Sequence, residues 1–191
     1  MDITVIVIFA WWCNNKEKIE IKMKINNLLK KVILAVALGA FILPANSEEK
    51  NTEYSFYSGK FDFSDEGKVT SVIGIQHQNE ELNRDTFLGN LSPITGAMFM
   101  QNSASYIYTG VQAQYKFGKL NFNPSFTPGL YGQGNGKDLG SVVEFKTELQ
   151  LTVDLFENSE FGLKYNHISN ADLGDNNPGA NSYMLNFLKR F

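Results

Sequence analysis

From residue 53 to its end the chain alternates between apolar and polar positions with a period of two. That is the mark of strands with one greasy face, not of amphipathic helices. The clearest stretch is 141–153, where Val143, Phe145, Thr147, Leu149, Leu151 and Val153 alternate with Val142, Glu144, Lys146, Glu148, Gln150 and Thr152. Segment 160–169 sets Phe161, Leu163 and Tyr165 against Gly162, Lys164 and Asn166, and 104–117, 120–131 and 68–78 repeat the pattern. Weaker versions occupy 53–63, 92–100 and 182–191. The pattern therefore predicts eight strands of roughly ten residues, the length a tilted strand needs to cross a bilayer. Turn-forming runs separate them at 64–67, 101–103, 118–119, 132–136 and 157–159.

The first 47 residues do not share this pattern. Lys22, Lys24, Lys30 and Lys31 precede an apolar run at 32–43, which Pro44 ends, and Ala45-Asn46-Ser47 supplies small residues at the −3 and −1 positions of a cleavage site. The run is twelve residues, short of the roughly 20 of a membrane helix. Residues 23–47 thus read as an export signal peptide. The apolar residues 3–13 in front of it have no place in such a signal, so the natural start is expected at Met23 and 1–22 as an extension outside the mature protein. Cys13 follows Trp11 and Trp12, too bulky for a lipoprotein cleavage site.

The expected mature chain, 48–191, contains no cysteine, which excludes a disulfide framework and thiolate metal ligation. It carries 11 Lys+Arg against 17 Asp+Glu, a balance that argues against nucleic acid as a partner. It also holds all eight tyrosines and thirteen of the fifteen phenylalanines, a composition suited to an aromatic-girdled barrel. An even number of strands, an export signal, no cysteine and a terminal Phe191 on the parity of Tyr183, Leu185 and Phe187 together predict an all-β, eight-stranded antiparallel transmembrane β-barrel. Only closure satisfies strand backbones in lipid. A barrel of eight strands is filled by side chains, so Glu144, Lys146, Glu148, Gln150, Lys164, Gln112 and Gln114 are expected in a packed polar interior rather than a pore.

Against this background one segment stands out, Tyr165-Asn166-His167-Ile168-Ser169-Asn170-Ala171. His167 and Ser169 are two apart, so a strand puts them on one face, and parity makes it the lipid-facing one, at the end of the seventh strand. With both chain ends in the periplasm, the following loop lies outside the cell. A His beside a Ser hydroxyl is the minimal activated nucleophile. The pair also fits two solvated residues at a strand end, and spacing alone leaves both readings standing. Asp172, Asp175, Asn176 and Asn177 lack calcium-loop spacing and read as a turn. His77 reads as a rim residue, and Glu144 and Glu148 as interior polar residues out of a substrate's reach.

Several motifs bear a resemblance that sharpens the choice. Tyr131-Gly132-Gln133-Gly134, Asp138-Leu139-Gly140-Ser141 with Glu144-Phe145, His167-Ile168-Ser169-Asn170-Ala171 and Asn177-Pro178-Gly179, with the upstream run 124–131, resemble the lipid A 3-O-deacylase (PagL-type) family. Most of the mature chain is covered, with the strong motifs between 124 and 181. The resemblance implies an outer-membrane esterase that removes an ester-linked acyl chain from lipid A without a metal or organic cofactor. It implies His167 as general base and Ser169 as nucleophile, with Asn170, Ala171 and Asn177 as oxyanion donors. Lipid A or lipopolysaccharide in the outer leaflet is the implied partner. The outer-membrane assembly machinery is expected to read the last strand, and a homodimer is left open. The sequence departs from the family at one place: the Glu fourteen residues after the His is Asn181 here. An amide orients an imidazole without neutralising its cation, so the alternative is a non-catalytic structural or lipid-binding barrel. Asp172 and Asp175 lie in the same loop and are the candidates to substitute for the missing carboxylate, a choice the sequence leaves open.

Overall fold

A computed structural model describes residues 52–65 and 69–191; the expected signal peptide and the residues before it lie outside this range. Nine strands follow in chain order: β1 (Thr52–Phe61), β2 (Thr70–Asn79), β3 (Arg84–Thr86), β4 (Gly89–Met100), β5 (Ser105–Phe117), β6 (Leu120–Gly132), β7 (Val143–Phe156), β8 (Ser159–Ser169) and β9 (Ala180–Arg190). All pairings are antiparallel, and the additional pairing of β2 with β4 joins the two sides of the sheet. Eight strands thereby close into a barrel. β3, three exposed polar residues paired only with β4, is an appendage on the connection between β2 and β4. It carries no alternation, which is why the period-two reading passes over it and starts β4 three residues late.

Each predicted segment overlaps one of the eight barrel strands, and the predicted parities hold. Apolar side chains such as Phe56, Ile73, Ile107, Leu130, Leu163 and Leu185 point outward and are more than a third exposed. A continuous surface of this kind suits hydrocarbon as its solvent. Closure removes the sheet edge at which prolines are normally tolerated. β6 nevertheless contains Pro124 and Pro128, and the β5–β6 register skips both, while the β6–β7 register runs unbroken. The missing N–H groups face β5, and the barrel concentrates the loss in that seam.

The lumen is filled largely as expected, although Gln114 is only half-buried instead of packed in the interior. Glu148 accepts from Lys146 (3.0 Å) and Lys164 (3.1 Å), with all three side chains fully buried, and from the Asn166 amide (3.3 Å). Lys146 lies 3.8 Å over the Tyr108 ring and Lys164 4.6 Å over that of Tyr57. The two phenols meet at 2.9 Å, and a chain of amides, Gln76, Gln112 and Gln78, continues from Tyr108. Glu144 is also fully buried, one pleat repeat above Lys146, so neither glutamate is open to a substrate.

The two termini of the barrel meet at its lower end, where Thr52 and Phe191 exchange backbone hydrogen bonds. At the lower ends of β1, β8 and β9, Arg190 gathers Glu53 (3.0 Å), Glu160 and Glu80. His77 is near this end, its ring 5.0 Å from that of Tyr54. The upper end carries the connections after β1, β4, β6 and β8, and the last of these begins at Ser169.

Candidate active site

β8 delivers His167 and Ser169 to the upper rim on the outward parity, both half-buried, continuing the stripe of Phe161, Leu163 and Tyr165. Asn181, second residue of β9, lies directly across the ladder from His167. Fourteen residues separate the two in sequence because β8 and β9 form a hairpin whose loop spans the interval, so the pairing register brings them together. His167 Nδ1 is 2.8 Å from Asn181 Oδ1. An amide oxygen only accepts, so Nδ1 is the donor in this contact, and in a neutral imidazole that arrangement leaves the lone pair on Nε2, where a general base needs it.

Two further bonds hold the amide. Tyr165 Oη donates to Asn181 Oδ1 (3.0 Å), and Asn181 Nδ2 donates to Ser64 Oγ (3.0 Å). The backbone carbonyl of Asn181 accepts from the Phe63 N–H (3.1 Å), and the Phe63 ring makes edge contacts with Tyr165 and Tyr183. The connection after β1 is thus fastened to the β8–β9 hairpin beside the histidine. Sequence reading saw Ser64 only as part of a turn, since nothing in a linear chain pairs position 64 with 181.

Ser169 shares the histidine's face, opposite Phe145 on β7. Its Oγ makes no hydrogen bond to the imidazole among the described residues. Two residues along an extended strand span roughly 6.6 Å, so both side chains must lean toward each other to meet, and such bonds commonly tighten only around substrate.

The loop that follows is strained and clamped. Ala171 (φ 52) and Asp172 (φ 59) both take the left-handed conformation, at a cost on the order of 1 kcal/mol or more each. Asn170 is fully buried beneath them. Its side-chain amide donates to the carbonyls of Leu139 and Asn176, both at 2.7 Å. Its backbone N–H donates to Asn177 Oδ1 (3.1 Å), and Asn177 Nδ2 donates to Asp172 Oδ1 (3.1 Å). Gly140 (φ 86) admits the carbonyl of Asn176 where any Cβ would stand, so the 138–141 and 173–177 segments meet backbone to backbone.

These bonds sort the expected oxyanion donors. Both amide hydrogens of Asn170 are engaged, so its side chain clamps the loop and is not open to a substrate oxygen, contrary to expectation. The Ala171 N–H has no hydrogen-bond partner among the described residues, and Asn177 keeps one amide hydrogen. Neither candidate substitute for the missing carboxylate meets the histidine. Asp172 is tied to Asn177, and no carboxylate among the described residues pairs with His167.

Gly179 (φ 61) closes the site from the other side. A Cβ built there would stand 2.8 Å from His167 Cε1 and 3.3 Å from Nε2. Gly179→Ala is therefore expected to displace the ring as well as strain the backbone. The expected cost is about 1–3 kcal/mol in urea unfolding and more than 10-fold in any His167-dependent rate; a variant of unchanged rate would show that the ring tolerates displacement.

The profile of the family described as lipid A 3-O-deacylase (PagL) matches residues 57–190. Among solved structures, the outer membrane enzyme PagL superposes with a TM-score of 0.58 at 15% identity, covering 73% of this chain and 99% of that one. A de novo designed transmembrane β-barrel superposes with a TM-score of 0.50 at 9% identity, covering 76% of this chain and 100% of that one. At such identities the superpositions speak for the barrel fold alone. No curated protein matches the chain.

Proposed function

The chain belongs to the lipid A 3-O-deacylase (PagL) family, and on that premise we propose that it is an outer-membrane esterase removing an ester-linked acyl chain from lipid A, with Ser169 as nucleophile and His167 as general base. The observation that carries this reading is the 2.8 Å contact between His167 Nδ1 and Asn181 Oδ1 on the outward face of the rim. It leaves Nε2 as the basic nitrogen on the side of the barrel where a lipid diffuses.

Catalysis then runs in two halves. Ser169 Oγ attacks the ester carbonyl while His167 Nε2 takes its proton. The negative carbonyl oxygen of the tetrahedral intermediate is met by the Ala171 N–H and the remaining hydrogen of Asn177. Each such donor is worth roughly 3 kcal/mol of barrier. Collapse breaks the C–O bond to the glucosamine alkoxide, which receives the proton from the imidazolium. Water, deprotonated by the same nitrogen, attacks the acyl-serine and releases the fatty acid. These steps require no metal or organic cofactor. The signal peptide directs the chain's export and the assembly machinery inserts the barrel, and the substrate then reaches the rim within the outer leaflet.

Mass spectrometry of lipid A from cells expressing the folded barrel tests the reading. The expected product lacks one ester-linked acyl chain, and unaltered lipid A with folded protein in the outer membrane would overturn it. One observation favours a second reading, a barrel that keeps the family's shell without its chemistry: Asn181 bears no charge to stabilise the imidazolium. The wild type and Asn181→Glu together separate the two. If the wild type is catalytic, it yields a Ser169-dependent deacylated product and Asn181→Glu raises that rate by about 10- to 1000-fold, because a carboxylate stabilises the imidazolium. If the wild type leaves lipid A unaltered, the second reading stands, whether or not Asn181→Glu gains activity.

A further inference from the structure

The residue at 181 creates a problem that a glutamate would not have. A carboxylate offers two equivalent oxygens, whereas a carboxamide has an accepting end and a donating end. With the accepting end toward His167, the imidazole proton sits on Nδ1 and Nε2 is a base. With the amide turned over, Nδ2 donates to Nδ1, the ring proton moves to Nε2, and the base is lost.

We propose that Ser64 and Tyr165 are positioning residues that lock the Asn181 carboxamide with its oxygen toward His167, so that a neutral residue performs the orienting part of a carboxylate's work. This rests on the reading of His167 as general base. The geometry supplies both halves of the lock. Tyr165 Oη is 3.0 Å from Asn181 Oδ1, the same oxygen that faces His167. A phenol donates a hydrogen bond more readily than it accepts one, so it favours the oxygen at that end. Ser64 Oγ is 3.0 Å from Nδ2 and takes the donating end. A serine hydroxyl alone serves either end of an amide, which is why the two are needed together.

Ser64 is also held in place independently of its side chain. The Phe63 N–H bonds the Asn181 carbonyl at 3.1 Å, and the Phe63 ring stands 5.0 Å from that of Tyr183. The connection after β1 therefore works as part of the site, although 117 positions separate Ser64 from Asn181. Tyr165 sits one pleat repeat below His167 on β8 and belongs to the same outward stripe.

The test reads the tautomer directly, so it stands whether or not lipid A is hydrolysed. The full barrel, labelled with ¹⁵N-histidine and held in detergent micelles, gives the protonation pattern of His167 from two-bond ¹H–¹⁵N correlations. His77 is assigned by its substitution. The expected wild-type spectrum shows the Nδ1–H form. Ser64→Ala and Tyr165→Phe each shift the population toward the Nε2–H form, and Ser64→Thr restores the wild-type pattern. In an Asn181→Glu background Ser64→Ala leaves the tautomer unchanged, since a carboxylate has no wrong end. A wild-type Nε2–H form, or an Nδ1–H form indifferent to both substitutions, overturns the lock. If Ser64→Ala does not fold, Tyr165→Phe decides by the same spectrum. Where hydrolysis is present, Ser64→Ala lowers kcat about 10-fold or more with KM little changed, and by less than about 2-fold in the Asn181→Glu background. Failure of hydrolysis with the tautomer pattern intact would count against the esterase reading and not against the lock.

Discussion

Replacing Ser169 with alanine is expected to leave a folded barrel that no longer removes an acyl chain from lipid A. Under the proposed mechanism this hydroxyl forms the acyl-enzyme: Ser159, the other serine of β8, lies at the opposite end of the strand, and Thr147 of β7, paired across the ladder with His167, is the other outward hydroxyl beside the ring. In serine hydrolases, loss of the nucleophile typically lowers kcat by a factor on the order of 10⁶. The residual rate comes from the oxyanion donors and from binding. A lower starting activity with Asn181 compresses that range here, and a drop of at least about 10³ is the working expectation. Stability should barely move, because Ser169 is half-buried at the end of its strand and its Oγ holds no partner among the described residues. Urea unfolding within about 0.5 kcal/mol of wild type is therefore expected. The measurement is the ratio of deacylated to intact lipid A by mass spectrometry at matched levels of folded protein. A Ser169→Ala protein that still deacylates would remove the nucleophile assignment and send the search to another rim hydroxyl.

Replacing Glu148 with alanine should have the largest effect on stability. Its carboxylate stands between Lys146 and Lys164 at 3.0 and 3.1 Å, with no exposure of any of the three side chains. Removing it leaves two ammonium groups buried without a counter-ion. Breaking a buried pair in this way costs about 3–5 kcal/mol, because the partner's desolvation is no longer offset. The rings of Tyr108 and Tyr57 beneath the two ammoniums return part of that, roughly 1 kcal/mol each. Glu148→Gln, which keeps acceptor and shape but not charge, is expected to fall between. Urea titration of the barrel in micelles measures both. An alanine variant within about 1 kcal/mol of wild type would mean that the lysines shed their protons or that water enters the lumen.

Much of this protein is legible in its sequence because a barrel wall is a simple physical object. Side chains alternate across a pleated strand, so a face that must be apolar for lipid and one that must be polar for a packed lumen write a period of two into the chain. Glu144, Lys146 and Glu148 could be placed inside, and Leu149, Leu151 and Val153 outside, without coordinates. The same arithmetic put His167 and Ser169 on a shared outward face. β3 escaped it because three exposed polar residues on a short appendage have no apolar side to keep. Pro124 and Pro128 would on their own have argued for an edge strand, and only the pairing shows how a closed barrel keeps them, with β6 skipping both in its register with β5.

The site was legible by motif but not by partnership. His167, Ser169 and Asn181 could be named from spacing and resemblance, and the β8–β9 hairpin does bring 167 and 181 together. What the linear chain could not show was that the Asn170 side chain is turned inward onto the carbonyls of Leu139 and Asn176, because those acceptors come from two different loops. Nor could it show that Asp172 answers to Asn177 instead of His167, or that Ser64 reaches across to Asn181. Local alternation by itself determined the wall, its two faces and the side on which the candidate residues stand, since those depend only on where each residue falls along its own strand. The hydrogen-bond partners at the rim were decided by the tertiary structure alone, because barrel closure brings together loops that are distant in sequence, and no local rule specifies which polar group will meet which.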